Sequence, residues 1–129
     1  MQEFVVQVHS GYGPVHYDLM IRHGPALATW QLPLPPWEVT SDRPIPANRL
    51  ADHRLAYLSY EGPVSGGRGS VAIAERGTCQ VLAANDSQWL IRLEGRSLRG
   101  EYCLRQTGTA DDQWTFAPLR DDQCPREDP

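Results

Sequence analysis

Residues that break helices and turn the chain recur so closely here that no long helix fits between them. SGYGP occupies residues 10–14, RHGP 22–25, SGGRG 65–69, ERG 75–77, AND 84–86, EGRS 94–97 and GTADD 108–112. Glycine and proline are the strongest local punctuators of regular structure. The segments between them are short and carry β-branched or aromatic residues, which is the signature of strands. The pattern predicts strands near residues 4–9, 15–22, 28–32, 71–75, 78–83, 89–94, 100–105 and 113–117. Many short strands joined by tight turns make an all-β antiparallel sandwich or small barrel. Residues 32–46 stand apart, with prolines at Pro33, Pro35, Pro36, Pro44 and Pro46. Proline lacks a backbone donor, so this stretch reads as a surface crossover loop. Residues 48–60 have room for one or two helical turns.

At 129 residues the chain suits one domain. Residues 1–119 read as that domain and 120–129 as a flexible tail containing Cys124. No apolar run is long enough to span a bilayer, and the first residues lack the features of a signal peptide, so a cytoplasmic protein with no membrane partner is expected. The net charge of −4 argues against broad coating of nucleic acid. All 12 basic residues are arginine, which excludes a phosphate-loop lysine, a Schiff base and a lysyl-nucleotide intermediate within the chain. Cys79, Cys103 and Cys124 have no CxxC spacing, so neither a disulfide framework nor a zinc knuckle is indicated. Cys79 and Cys103 read as free buried thiols.

The chemistry concentrates in FVVQVHS and VHYDLMIRH. Alternate residues of a strand share a face. His16 and Asp18 therefore point together, with Tyr17 and Leu19 opposite, while Gln7 and His9 share a face of the preceding strand. The SGYGP turn joins these strands as a hairpin, and pairing brings His9, His16 and Asp18 onto one surface. Two imidazoles and a carboxylate are a common ligand set for a divalent metal with positions left open for substrate. A second cluster lies in DHRLAYLSYEG, where a helical turn over residues 53–57 sets His53 beside Tyr57. An imidazole and a phenol together can bind or protonate an oxyanion. The plainer alternative buries Tyr57 in the core and leaves His53 at a surface cap. His23, in the RHGP turn, reads as solvent-exposed.

These motifs, in order, resemble the 3′-phosphoesterase domain of bacterial DNA ligase D and its stand-alone relatives, from Phe4 to Leu119. The family's opening strand corresponds to Phe4 through His9, its HYD to His16-Tyr17-Asp18, and its tryptophan-x-x-proline strand to Trp30 through Pro33. Its DH-x-L-x-Y motif runs from Asp52 to Gly62, and its glycine turns match Gly67 to Val71 and Arg76-Gly77-Thr78. Its LxGxxLxG hairpin is Leu93 to Gly100. The resemblance implies a compact β-barrel holding manganese, or another divalent transition metal, that trims DNA 3′ ends. A terminal ribonucleoside and then the 3′-phosphate would be removed, in cooperation with a separate ligase or polymerase of end joining. By the same resemblance His9, His16 and Asp18 hold the metal, His53 and Tyr57 contact phosphate, and Gln7 supports them. The chain departs from the family in three places. Met20 stands where the family usually has a phosphate-clamping arginine, Leu34 where it has a lysine, and the turn before His16 is one residue longer. Arg22, two residues after Met20 and of the same parity, is the expected replacement, with Arg54 and Arg76 as weaker candidates.

Two other readings fit the same residues. His16, Asp18 and His53 also suit the facial triad of a non-haem iron oxygenase, with His9 a bystander. A barrel that binds DNA ends or repair partners without catalysis accommodates Met20 and Leu34.

Overall fold

The computed structural model describes residues 1–119, so the expected tail at 120–129 and the reading of Cys124 lie outside the described residues. The strands are β1 (Gln2–Ser10), β2 (His16–His23), β3 (Ala26–Leu32), β4 (Ile45–Arg54), β5 (Gly62–Pro63), β6 (Ser70–Ala84), β7 (Gln88–Glu94), β8 (Arg99–Gln106) and β9 (Gln113–Pro118). They hydrogen-bond in the order β1-β2-β3-β4-β9-β8-β7-β6, and an antiparallel β1–β6 pairing closes the ring. The two residues of β5 add a rung on β6. The all-β barrel expected from the turns is thus an eight-stranded closed antiparallel one. Helical structure among the described residues is confined to 3-10 turns at Pro36–Glu38 and Leu55–Leu58.

Parity decides what fills the barrel. Phe4 and Val6 of β1, Leu19 and Ile21 of β2, and Trp30, Trp114 and Phe116 all join one buried cluster. An eight-stranded barrel has an interior just wide enough for its side chains. The lumen is therefore a packed core, and polar chemistry is left to the outer wall. On that wall Val5, Met20 and Leu27 form a second apolar cluster, roofed by Leu55, Tyr57 and Leu58.

Three expectations need correction. The crossover loop ends sooner than expected, because β4 begins at Ile45 and runs to Arg54, while the room for a helical turn within residues 48–60 is taken by the 3-10 turn at Leu55–Leu58. Pro46 is tolerated because β4 pairs with β9 there, whereas its pairing with β3 begins only at Asn48. One side of the strand at Pro46 thus has no ladder for the missing N–H to break. Second, residues 71–75 and 78–83 are not separate strands: β6 runs unbroken from Ser70 to Ala84. Gly77 serves close approach rather than a turn, since a Cβ there would sit 2.1 Å from the Glu94 carbonyl oxygen. Third, Cys79 is a free buried thiol, its pKa pushed up to about 12 by burial, but Cys103 is disulfide-bonded. Spacing along a sequence carries no information about which thiols meet.

A register shift between Val6 and Gln7 shapes both sides of the wall. Gln7 pairs with Ile73 and Val6 with Glu75, so the extra residue of β6 is Ala74. Ile73 joins the outer cluster. Glu75 turns the other way and is buried. Its carboxylate accepts backbone N–H bonds from Arg96 at 3.0 Å, Leu98 at 2.9 Å and Arg76 at 3.2 Å, and a further bond from Ser97. Burial pushes this carboxyl up, but the backbone donors outweigh it and hold it below the ordinary glutamate value. Gly95 makes room, since a Cβ there would lie 2.9 Å from the Glu75 carboxyl carbon.

Candidate metal centre

The β1–β2 hairpin pairs Gln7 with Asp18 and His9 with His16. Directly paired residues point to the same side of a sheet. The three residues expected to hold a metal therefore meet on the outer wall. One donor atom from each of His9, His16 and Asp18 can be chosen so that all lie within 4.8 Å of one another. The imidazoles of His9 and His16 meet edge to face, with centroids 4.7 Å apart. His16 Nδ1 lies 3.0 Å from Asp18 Oδ1.

Asp18 is 5% exposed. Burial raises its carboxyl above the ordinary value, opposed by the nearby imidazoles of His16, His53 and His9. A buried carboxylate is costly unless it is paired or bound to a metal. The surroundings of His9 favour the second course. Its Nε2 lies 2.6 Å from the carbonyl oxygen of Arg68. A ring N–H directed at a carbonyl fixes the tautomer and leaves the other nitrogen free to bind, the usual arrangement behind a metal-bound histidine. Gly69 makes that contact possible. Its φ is +73°, and a Cβ there would lie 2.0 Å from the Ser10 carbonyl oxygen. The donor set, its spacing and the carbonyl behind His9 all suit a divalent transition metal.

His53 and Tyr57 also come together, though not as neighbours on one helical turn. His53 is on β4 and Tyr57 in the 3-10 turn that follows. Their rings stand edge to face with centroids 5.6 Å apart. A bulge in the β3–β4 pairing directs His53 to the cleft. Thr29 pairs with Leu50 but Leu27 pairs with His53, so β4 spends an extra residue between them. His53 Nδ1 lies 3.0 Å from the Ala51 carbonyl oxygen, which makes Nε2 the nitrogen available to a ligand. Gln7 fastens the Tyr57 segment. Buried to 1% exposure, it donates from Nε2 to the carbonyl oxygens of Tyr57 and Tyr60, both at 2.9 Å.

These side chains line one open cleft of about 1170 Å³, with Tyr12, Gln31, Asn48, Gln113 and Arg68 also on its walls. Arg22 is not brought there. Its guanidinium lies 3.4 Å from Glu3, and it is not among the residues that line the cleft. Arg76 turns instead to the Leu58 carbonyl at 3.4 Å, and Arg54 is not among the lining residues. Nor can Met20 be read as a vacancy in the pocket, because it is fully buried beneath Tyr57. His23 is exposed, as expected, with its ring edge-on to Trp89 at 5.1 Å. Among the described residues the arginine that lines the cleft is Arg68, which the sequence alone did not single out within the turn SGGRG, and its Nε donates to the Ser65 carbonyl oxygen at 2.7 Å. The signal was a charged residue held between glycines.

Fold and site define a closed antiparallel barrel with a two-histidine, one-aspartate candidate metal centre on its outer wall. The chain belongs to the DNA ligase D 3′-phosphoesterase domain family, whose model matches residues 7–106. This is a family of hydrolases acting on phosphate esters. A comparison with curated proteins finds no match. No described helix is long and apolar enough to cross a membrane.

Proposed function

We propose that the chain is a metal-dependent 3′-phosphoesterase that processes DNA 3′ ends. The observation that carries this reading is the convergence of His9, His16 and Asp18 with His53, Tyr57 and Arg68 in one cleft of a phosphoesterase-family barrel. His9, His16 and Asp18 would hold manganese or another divalent transition metal, which supplies Lewis-acid polarisation of a phosphoryl oxygen. His53, with Nδ1 engaged by the Ala51 carbonyl, presents Nε2 to the phosphate. As a water oxygen bonds to phosphorus and the bond to the sugar oxygen breaks, the His53 imidazolium stabilises the phosphoryl charge and delivers its Nε2 proton to the departing sugar oxygen. Tyr57 donates a hydrogen bond to a phosphoryl oxygen. Arg68 takes the place given to Arg22 on sequence grounds, as the cation that neutralises the phosphate. Gln7 contributes by holding the Tyr57 backbone.

The substrates are DNA 3′ ends carrying a phosphate or a terminal ribonucleoside. The processed end passes to a separate ligase or polymerase of end joining, in the cytoplasm. The test is release of inorganic phosphate from a 3′-phosphorylated DNA primer with manganese present. A second reading, a barrel that binds ends without hydrolysing them, draws on Met20 replacing the family's arginine; binding without phosphate release would favour it. The iron-oxygenase reading is not favoured, because the close donor group contains His9 rather than His53.

A further inference from the structure

The bulge between β1 and β6 does more than aim Ile73 outward. Gln7 and Ile73 are directly paired there, and each ties down the segment that carries Tyr57. Gln7 donates from Nε2 to the Tyr57 and Tyr60 carbonyl oxygens, both at 2.9 Å. The Ile73 backbone N–H donates to Glu61 Oε2 at 2.7 Å. A bulge disrupts the ladder locally, so backbone groups beside it take partners from outside the pairing. Glu61 is such a partner, and it joins the far end of the Tyr57 segment to β6. The bulge is also held from its other side. The buried Glu75 carboxylate accepts the N–H groups of Arg76, Arg96, Ser97 and Leu98. Glu61 itself is exposed and does not line the cleft.

We infer that Glu61 is a positioning residue for Tyr57: through the Ile73 N–H, its carboxylate holds the phenol beside His53 and in reach of a phosphoryl oxygen. The inference rests on the phosphoesterase reading and adds to it a residue outside the cleft. Tyr57 lies in a 3-10 turn of four residues, Leu55–Leu58. Such turns have poorer hydrogen-bond geometry than an α-helix, so contacts from outside must fix their direction. Gln7 cannot do this alone. Both of its bonds leave one nitrogen, which acts as a pivot about which the segment can rock. The charge-assisted bond to Glu61 adds a second, separate point and stops the rocking. The Arg76 guanidinium adds a longer and weaker contact, 3.4 Å from the Leu58 carbonyl oxygen. Asp18, Gln7 and Ile73 are paired in one row across β2, β1 and β6. A candidate metal ligand and both ties on the Tyr57 segment therefore share one register. Misplacing a group that contacts the transition state by about 1 Å can cost about 10²-fold in rate, even when the substitution lies far from the chemistry.

The experiment is a double-mutant cycle between Glu61 and Tyr57. It follows phosphate release from a 3′-phosphorylated DNA primer with manganese and, separately, the binding of inorganic sulfate as a phosphate mimic by calorimetry. Glu61→Ala should lower kcat about tenfold or more and weaken sulfate binding, with manganese affinity unchanged. Glu61→Gln keeps an acceptor oxygen for the Ile73 N–H and should recover most of both losses. In a Tyr57→Phe background the hydroxyl that Glu61 positions is gone. Adding Glu61→Ala there should change either readout by less than about twofold. Glu61→Asp, which draws the carboxylate back by one methylene, is the second variant if the alanine one folds poorly, and should behave like it. Native kcat and sulfate affinity in both Glu61→Ala and Glu61→Asp would overturn the inference. So would alanine losses that add in full to those of Tyr57→Phe, or that Glu61→Gln does not recover, since general loosening of the barrel depends on neither the phenol nor the acceptor. Failure of the native chain to release phosphate would instead refute the phosphoesterase reading, and the sulfate cycle would still decide the role of Glu61.

Discussion

Asp18 sits almost out of water, with three imidazoles around its carboxylate and, among the described residues, no arginine paired with it. That arrangement suits a carboxylate that shares a cation with His9 and His16. Replacing His16 by alanine removes one of three donors, and metal affinity measured by calorimetry should fall by at least about 10-fold, with the barrel intact by circular dichroism. Unchanged affinity would mean that the ion binds elsewhere. Met20 yields a prediction opposite to the one its sequence position suggests. Restoring the family's arginine would place a guanidinium in the sealed cluster of Val5, Leu27 and Tyr57. Met20→Arg should therefore cost about 3 kcal/mol or more by chemical denaturation, not raise activity. A variant with native stability and faster phosphate release would show that the side chain can escape to the cleft. Burial of this kind cannot be read from strand parity, which places Met20 and Asp18 on one face without saying where the cleft ends and the roof begins.

Among the elements, the β1–β2 hairpin was the most legible. Alternation alone placed Gln7 with His9 and His16 with Asp18, and the β1–β2 register matches that placement. β4 was not legible, because Pro44 just before it and Pro46 within it argue for a loop and its pairing changes from β9 to β3 partway along. The bulge that directs His53 to the cleft depends on partner strands, not on local sequence. The loop 64–69 was legible as a turn but not as the support of His9, because glycine at Gly69 signals flexibility and close approach equally. The β7–β8 turn gives a pH test. Glu75 in the folded protein binds its proton less readily than in the unfolded chain. Its stabilisation is complete above the ordinary carboxylate pKa and fades as pH falls through the lower folded value. Glu75→Gln should lose about 2 kcal/mol at neutral pH. The gap in Tm between native and variant should then narrow between about pH 6 and about pH 3. A gap independent of pH would assign the loss to packing alone.

At the scale of the whole molecule, the barrel separates stability from chemistry. Its lumen is filled by side chains such as Trp30, Phe4 and Phe116, all fully buried, and Arg49 stacks over Trp30 with its guanidinium carbon 4.4 Å from the ring centroid. The cleft uses only the outer wall and the segment that Gln7 fastens to it. Core substitutions should act on folding, and cleft substitutions on turnover. Trp30→Ala is expected to cost about 3–5 kcal/mol in denaturant. His53→Ala should leave the melting temperature near native but slow phosphate release by about 10²-fold or more. The central claim is that this barrel hydrolyses 3′-phosphate ends through the centre formed by His9, His16 and Asp18. The most direct measurement is phosphate released from a 3′-phosphorylated DNA primer by the native chain and by His16→Ala, each with manganese and with a chelator. Release by the native chain with manganese, abolished by the chelator and by His16→Ala, is the expected result. Release that persists in His16→Ala or in the chelator would contradict it.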